Sequence, residues 1–328
     1  MPDKSSSSDN LPGIRSQPSH KPGGLAIHLG TSIKRGGEAK FGGSNPPAAG
    51  GLRNFNLKEI GIDQDQFIRA ISSSFDSLPL DNYEQRQQQI AYLFEKFPSE
   101  REKVVRFSSD FICGRTTLRP LADVLAKLSP RDLHEFEHMA TFQRRAIAKF
   151  EAIFRISKFP AIRRVAAGND NWKSSLCHYL SVLPISYPEI SEKVTDHSAT
   201  KQLCRFAALL AKGLNKNIFG LTLTIHQVSE LVQKNQSAPD KEMIDQHGVD
   251  YVVPAIPIIL ENVSVPINTL YDLQEKAVYK TRLKVGDGLF LDDRAYRQSI
   301  SPPRTTFDFG RRCILSLDIQ ATAFEEEQ

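Results

Sequence analysis

The spacing of apolar residues changes character twice along the chain. Residues 1–52 are mostly Ser, Gly, Pro, Asn and Lys, with almost no clustered large apolar side chains. Burial there cannot offset the entropy of ordering the chain, so a disordered leader is expected. Over 53–142 the spacing is helical: Phe67, Ile68, Ile71 and Phe75, then Ile90, Leu93, Phe94 and Phe97, recur every three or four residues. Ser129-Pro130-Arg131-Asp132 reads as a helix start, with a capping hydroxyl, proline at the first helical position and an acid in the first turn. A helical N-terminal region follows.

Over 143–322 short apolar segments alternate with Pro, Gly, Asn and Asp. Residues 221–225 and 314–319 alternate with a period of two, 251–260 is β-rich, and Leu289, Phe290 and Leu291 follow a Gly286-Asp287-Gly288 turn. An α+β fold is expected, a double-sheet β-sandwich packed on helices. Residues 323–328 read as a frayed acidic tail.

Composition narrows the function classes. The 328 residues are 40% hydrophobic, enough for one large domain or two small ones. Net charge is +4, but 42 basic residues are scattered among 38 acidic ones and no basic run carries interleaved aromatics, so nucleic acid is not an expected partner. The longest apolar run, 251–260, is too short for a bilayer and is broken by Pro254 and Pro257, and no signal-peptide core is present. A soluble, cytoplasmic protein without a membrane partner is expected. Cys113, Cys177, Cys204 and Cys313 lie far apart with no C-x-x-C pair, which favours a reducing compartment and no structural zinc. The Gly pairs at 36–37, 42–43 and 50–51 lack the Gly-Lys-Ser/Thr ending of a phosphate cradle.

His134-Glu135-Phe136-Glu137-His138 matches H-E-x-x-H, the zinc-peptidase arrangement of two imidazoles one helical turn apart with a glutamate base. The helix from Pro130 is short and charged and no third ligand follows at a fixed spacing, so a solvated helix face is the preferred reading.

Three further segments occur in order. They are Ile225-His226-Gln227-Val228; Asp245-Gln246-His247-Gly248-Val249-Asp250-Tyr251; and a stretch from Gly286-Asp287-Gly288-Leu289-Phe290-Leu291-Asp292-Asp293-Arg294 through Ser301-Pro302 to Arg311-Arg312-Cys313-Ile314-Leu315. Their order and spacing resemble the bacterial 2-oxoglutarate/iron(II) dioxygenase family that includes free amino-acid hydroxylases such as the isoleucine hydroxylase. The likeness covers about 100 residues and extends faintly back to Phe142-Gln143-Arg144-Arg145.

The resemblance implies a double-stranded β-helix (jelly roll) behind an N-terminal helical layer. It also implies an open iron(II) site of two imidazoles and one carboxylate, with positions left for the keto acid and oxygen. Two ligands at i and i+2 would share a strand face, and an Arg some dozen residues beyond the third ligand would clamp the far carboxylate of 2-oxoglutarate. Transferred onto this chain, Asp245, His247 and Gln298 are the metal positions and Arg312 the cosubstrate position, with Arg311 beside it. Departures from the family are plain: Asp245-Gln246-His247-Gly248 exchanges the acid and imidazole of His-x-Asp-Gly, Gln298 stands where the distal His would be, Ser229 replaces an Arg, and Val265-Pro266 replaces a Gly-Gly turn. The implied activity is oxidation of an amino acid or similar small molecule. The alternative is a catalytically lapsed fold that binds a small carboxylate or a protein. By their own context, His226 reads as a hydrogen-bonded core histidine and Asp292-Asp293 as turn and cap residues. Glutamate-rich tails with disordered leaders also resemble translocation signals of type IV-secreted bacterial effectors.

Overall fold

The structure, a computed structural model, describes residues 50–139, 141–154, 159–167, 170–172, 183–234 and 247–322. The expected leader and acidic tail lie almost wholly outside them. The chain opens with β1 (Leu52–Asn56) and a helical stretch: α1 (Gln64–Ile71), α2 (Asn82–Lys96), α3 (Arg101–Ile112), α4 (Ala122–Leu125) and α5 (Pro130–Glu137). Then come β2 (Gln143–Ile153), β3 (Ala161–Val165), β4 (Asp170–Trp172), β5 (Leu183–Ile185), α6 (Glu192–Thr195) and α7 (Ser198–Leu214). The remainder is strands: β6 (Gly220–Gln233), β7 (Tyr251–Glu261), β8 (Ile267–Tyr271), β9 (Ala277–Arg282), β10 (Asp287–Asp292), β11 (Arg297–Ile300) and β12 (Phe309–Ala321).

Helix starts follow local chemistry. Asp63, Asp81 and Ser129 each accept from a backbone N–H in the first turn of α1, α2 and α5, satisfying donors that have no intrahelical partner. Two elements depart from the sequence expectation. Residues 52–56, at the edge of the helical stretch, form a strand paired with β10 from Leu52↔Leu291 to Asn56↔Asp287; Leu52 and Phe55 are three apart, a spacing that fits either element. Residues 198–214, inside the stretch expected to be strands, form α7, which buries Leu203, Cys204, Ala207, Leu210 and Ala211. Its apolar positions do recur at three and four residues, but its cap is His197, which gives no Ser/Thr/Asp/Asn start signal.

The fold is mixed helix and antiparallel sheet. The large sheet has the order β1-β10-β7-β12-β6-β2-β3, a small sheet has β11-β8-β9, and β4 pairs with β5. β12 and β6 form the longest ladder, from Phe309↔Gln233 to Ala321↔Leu221. The β12–β7 ladder shifts register between Cys313 and Ile314 and again between Leu315 and Leu317, opposite a strand whose Pro254 and Pro257 have no N–H to donate.

One face of the large sheet is covered throughout. Cys313, Leu315, Leu317 and Ile319 of β12, Leu221, Leu223 and Ile225 of β6 and Ala146, Ala148 and Phe150 of β2 pack with α7, α1 and Phe55. Full burial of each large side chain there contributes about 1.5–3 kcal/mol. The opposite face is covered in two pieces. At the β7–β10 end Val252, Ala255, Leu289 and Leu291 meet Leu270, Leu283 and Tyr296 beneath the small sheet; at the β2 end Ile147 meets Ile90, Leu93, Val104 and Phe136 of the α2–α5 helices. A polar strip of β12, β6 and β2 side chains lies between these coverings. Among the described residues no helix is long and apolar enough to cross a membrane. Cys113, Cys204 and Cys313 are free thiols.

Candidate functional site

Alternation and register compose the strip. In a strand successive side chains point to opposite faces, and Cys313, Leu315 and Leu317 face α7, so Arg312, Ile314, Ser316 and Asp318 face the other way. The β6 residues opposite them are Glu230, Val228, His226 and Thr224, and the β2 residues opposite those are Gln143, Arg145, Ile147 and Lys149. Charged and polar side chains therefore form the floor of a trough.

At one end of the trough a carboxylate stands between two imidazoles. His226 Nε2 lies 3.1 Å from Asp318 Oδ2, and His247 Nδ1 lies 3.8 Å from Asp318 Oδ1. The Asp318 side chain is 29% exposed and that of His247 30%, so this end is open to solvent, while that of His226 is 10% exposed. Burial opposes ionisation of Asp318, but the His226 charge and hydrogen bond, His247 and Arg145 together hold its carboxyl below the usual range. His226 Nδ1 is buried and has no protein partner among the described residues. His226 is thus buried and hydrogen-bonded as expected, but by a partner that the sequence did not indicate.

Asp293 fixes the segment that carries His247. Its buried carboxylate accepts the backbone N–H groups of His247, Gly248 and Val249 at 3.1, 2.6 and 3.2 Å. Gly248 has φ +77°, a left-handed conformation that a β-carbon would disfavour. Asp292 makes the expected local turn bond, accepting Arg294 N, whereas Asp293 reaches across to a distant loop. Burial pushes the Asp293 carboxyl up, against His247 and the three N–H bonds.

Toward the other end stands Arg312. Its side chain is 11% exposed, Nη1 lies 3.4 Å from Glu230 Oε2, and the buried Nε has no protein partner among the described residues. Arg311 points to the opposite face, 2.6 Å from Asp76. Across the trough on β11, Gln298 pairs in register with the core residue Leu270. Its Nε2 donates to Asn268 Oδ1 at 2.9 Å, and its buried Oε1 has no protein partner among the described residues. Near the β2 end Arg145 lies 3.2 Å from the buried Asp81 and 5.3 Å over the Tyr187 ring. Burial raises the pKa of the neighbouring Glu84, against its bond from Thr141.

Of the metal positions expected from the motifs, Asp245 lies outside the described residues, His247 is turned to Asp318 and Gln298 to Asn268. Among the described residues no group of three or more His, Cys, Asp or Glu side chains could hold a metal ion. Asp318, Glu230 and Asn268 are trough residues that the sequence did not single out; the alternation of 314–319 already put Asp318 on one face with Arg312. On α5, His134, Glu135 and His138 are exposed, and His138 Nδ1 lies 2.8 Å from the His134 carbonyl. Phe136 carries the buried face, and no third ligand joins the two imidazoles among the described residues. The solvated-face reading of this helix accounts for the arrangement.

No family model and no curated protein matches the sequence. Similar solved structures include a bsmA homolog from Methylobium petroleophilum, 12% identical, with TM-score 0.56 over 85% of this chain and 92% of that one. Two others are IDO from Bacillus thuringiensis (15% identical, TM-score 0.44, 55% of this chain and 76% of that one) and the Fe(II)/α-ketoglutarate-dependent dioxygenase TqaL (13%, 0.43, 74% and 92%). The first likeness shows a shared fold; the other two are too distant to add to it.

Proposed function

We propose that the large and small sheets are the two walls of a double-stranded β-helix of the 2-oxoglutarate/iron(II) dioxygenase type, and that the trough between them binds a small dicarboxylate, by resemblance 2-oxoglutarate. The strand order supports the first part. From β6 onward β6, β7, β10 and β12 lie in one sheet and β8, β9 and β11 in the other, so the chain crosses between them repeatedly. Arg312 carries the second part. A nearly buried guanidinium faces the trough with one long contact to Glu230 and no protein partner for Nε among the described residues, and an incoming carboxylate would meet its planar fork.

The two imidazoles and the carboxylate at the open end pair with one another, and no group of three such side chains among the described residues could hold a metal ion. In such a pocket Arg312 would orient the acid, Asp293 would hold the loop that carries His247, and the small sheet would exclude water. The substrate proposed is an amino acid or similar small molecule. A second reading, a lapsed member that binds without turnover, is favoured by one observation: the amide nitrogen of Gln298, at the distal-histidine position, is already engaged by Asn268.

Anaerobic titration of 2-oxoglutarate with and without iron(II), followed by a succinate-release assay over a panel of amino acids, tests both. Binding with succinate release supports the enzyme and binding alone the lapsed member. No binding in either condition contradicts the dioxygenase-type reading.

A further inference from the structure

The trough holds buried polar atoms that the described protein does not satisfy, and whether each is a donor or an acceptor limits what can lie against it. We propose that the trough binds, without a metal, a small carboxylic acid that carries its own hydrogen-bond donor: a hydroxy or amino acid rather than a keto acid. The inference rests on the lapsed, small-acid reading of the trough and names the class of ligand that it takes.

Three atoms carry it. Arg312 Nε is a buried donor with no protein partner among the described residues, and a guanidinium suits a carboxylate. Gln298 is 3% exposed. Its Nε2 donates to Asn268 Oδ1 at 2.9 Å, which leaves the buried Oε1 an acceptor with no donor among the described residues. His226 Nδ1 is buried and equally unmet; in the neutral ring, with Nε2 donating to Asp318 at 3.1 Å, Nδ1 is a second acceptor. Packing brings the amide toward the guanidinium: Gln298 stands opposite Leu270, Leu270 belongs to the cluster on which Ile314 packs, and Ile314 is the next residue to Arg312 along the floor face of β12. A buried acceptor left without a donor is costly. A keto acid with its carboxylates ionised brings acceptors only and would leave both oxygen and nitrogen unmet, whereas a hydroxyl or ammonium group beside the carboxylate supplies the missing O–H or N–H. The same side chains leave no place for a metal, since Asp318 is engaged by His226, lies 3.8 Å from His247, and belongs to no group of three among the described residues that could hold one.

The test uses the full chain in a chelating buffer. Calorimetry compares diacids that differ only at the second carbon: glutarate, 2-oxoglutarate, the two enantiomers of 2-hydroxyglutarate, and glutamate. A hydroxy or amino member is expected to bind at least about fivefold more tightly than 2-oxoglutarate, the gain from meeting a buried acceptor, and equally well once iron(II) replaces the chelator. Gln298→Met should shrink that spread to within about twofold, with near-ultraviolet circular dichroism as the check of folding; the wild-type series decides alone where the variant does not fold. A flat series, 2-oxoglutarate in the lead, binding that appears only with iron(II), or a spread unchanged in folded Gln298→Met overturns the proposal. Arg312→Met separates that failure from failure of the small-acid reading. Weaker binding of every member keeps the reading whatever their ranking, whereas binding equal to the wild type, or no binding of any member to the wild type, ends both.

Discussion

Asp293 shows how much one buried carboxylate can organise. It is 1% exposed and accepts three consecutive backbone N–H groups from a segment 44 to 46 residues away. Asp293→Ala would leave those donors without their acceptor and destabilise the protein by about 2–3 kcal/mol, read as a lowered urea midpoint, with the His247 ring resonance shifting as its anchor is lost. Asp293→Asn, which keeps an acceptor oxygen, should recover part of the loss. Asp132 offers a cleaner acid titration. Lys96 first, then Ser129 and Tyr92, hold its carboxyl down to about 2. A depressed carboxyl adds stability above its unfolded value of about 3.9, and that contribution fades as pH falls through about 2. Carboxyl-carbon NMR should place the Asp132 midpoint near 2 and move it upward in Lys96→Met; a midpoint near the ordinary value in the wild type would remove the ion pair from the account.

Among the elements, β1 depends on a glycine in its partner. A β-carbon at Gly288 would fall within the Phe55 ring that packs over β10. Gly288→Ala is therefore expected to overpack the β1–β10 contact and cost about 1–3 kcal/mol, with amide exchange of residues 52–56 rising more than that of β12; protection unchanged at β1 would show that the ring gives way freely. This contact also marks where the fold was legible in the sequence and where it was not. Segments 221–225, 251–260, 289–291 and 314–319 lie in β6, β7, β10 and β12, because alternation and apolar runs report burial directly. The helices around Phe67, Ile90 and Pro130 were legible for the same reason, helped by their caps. β1 was not, since five residues with two apolar positions three apart fit either period. α7 was hidden by a strand-like context and an unusual cap. In the trough, Arg312 was legible only through the likeness of motifs, and the pairing of Asp318 with His226 depends on strand register, which no local spacing encodes.

At the scale of the whole molecule, the two coverings of one sheet face make the trough: the small sheet at one side, the helices at the other, and a polar floor of β12, β6 and β2 where neither reaches. The continuous apolar face beneath packs against α7 and α1. The floor mixes Arg145, Lys149 and Arg312 with Glu230 and Asp318, a balance that suits a small acid better than a polyanion. The most direct measurement is calorimetric titration of 2-oxoglutarate into the wild type and Arg312→Met, at matched thermal stability. Losing a charge-assisted pair of about 1.5–3 kcal/mol should weaken binding about 10- to 150-fold. Equal binding by the two proteins would contradict the account.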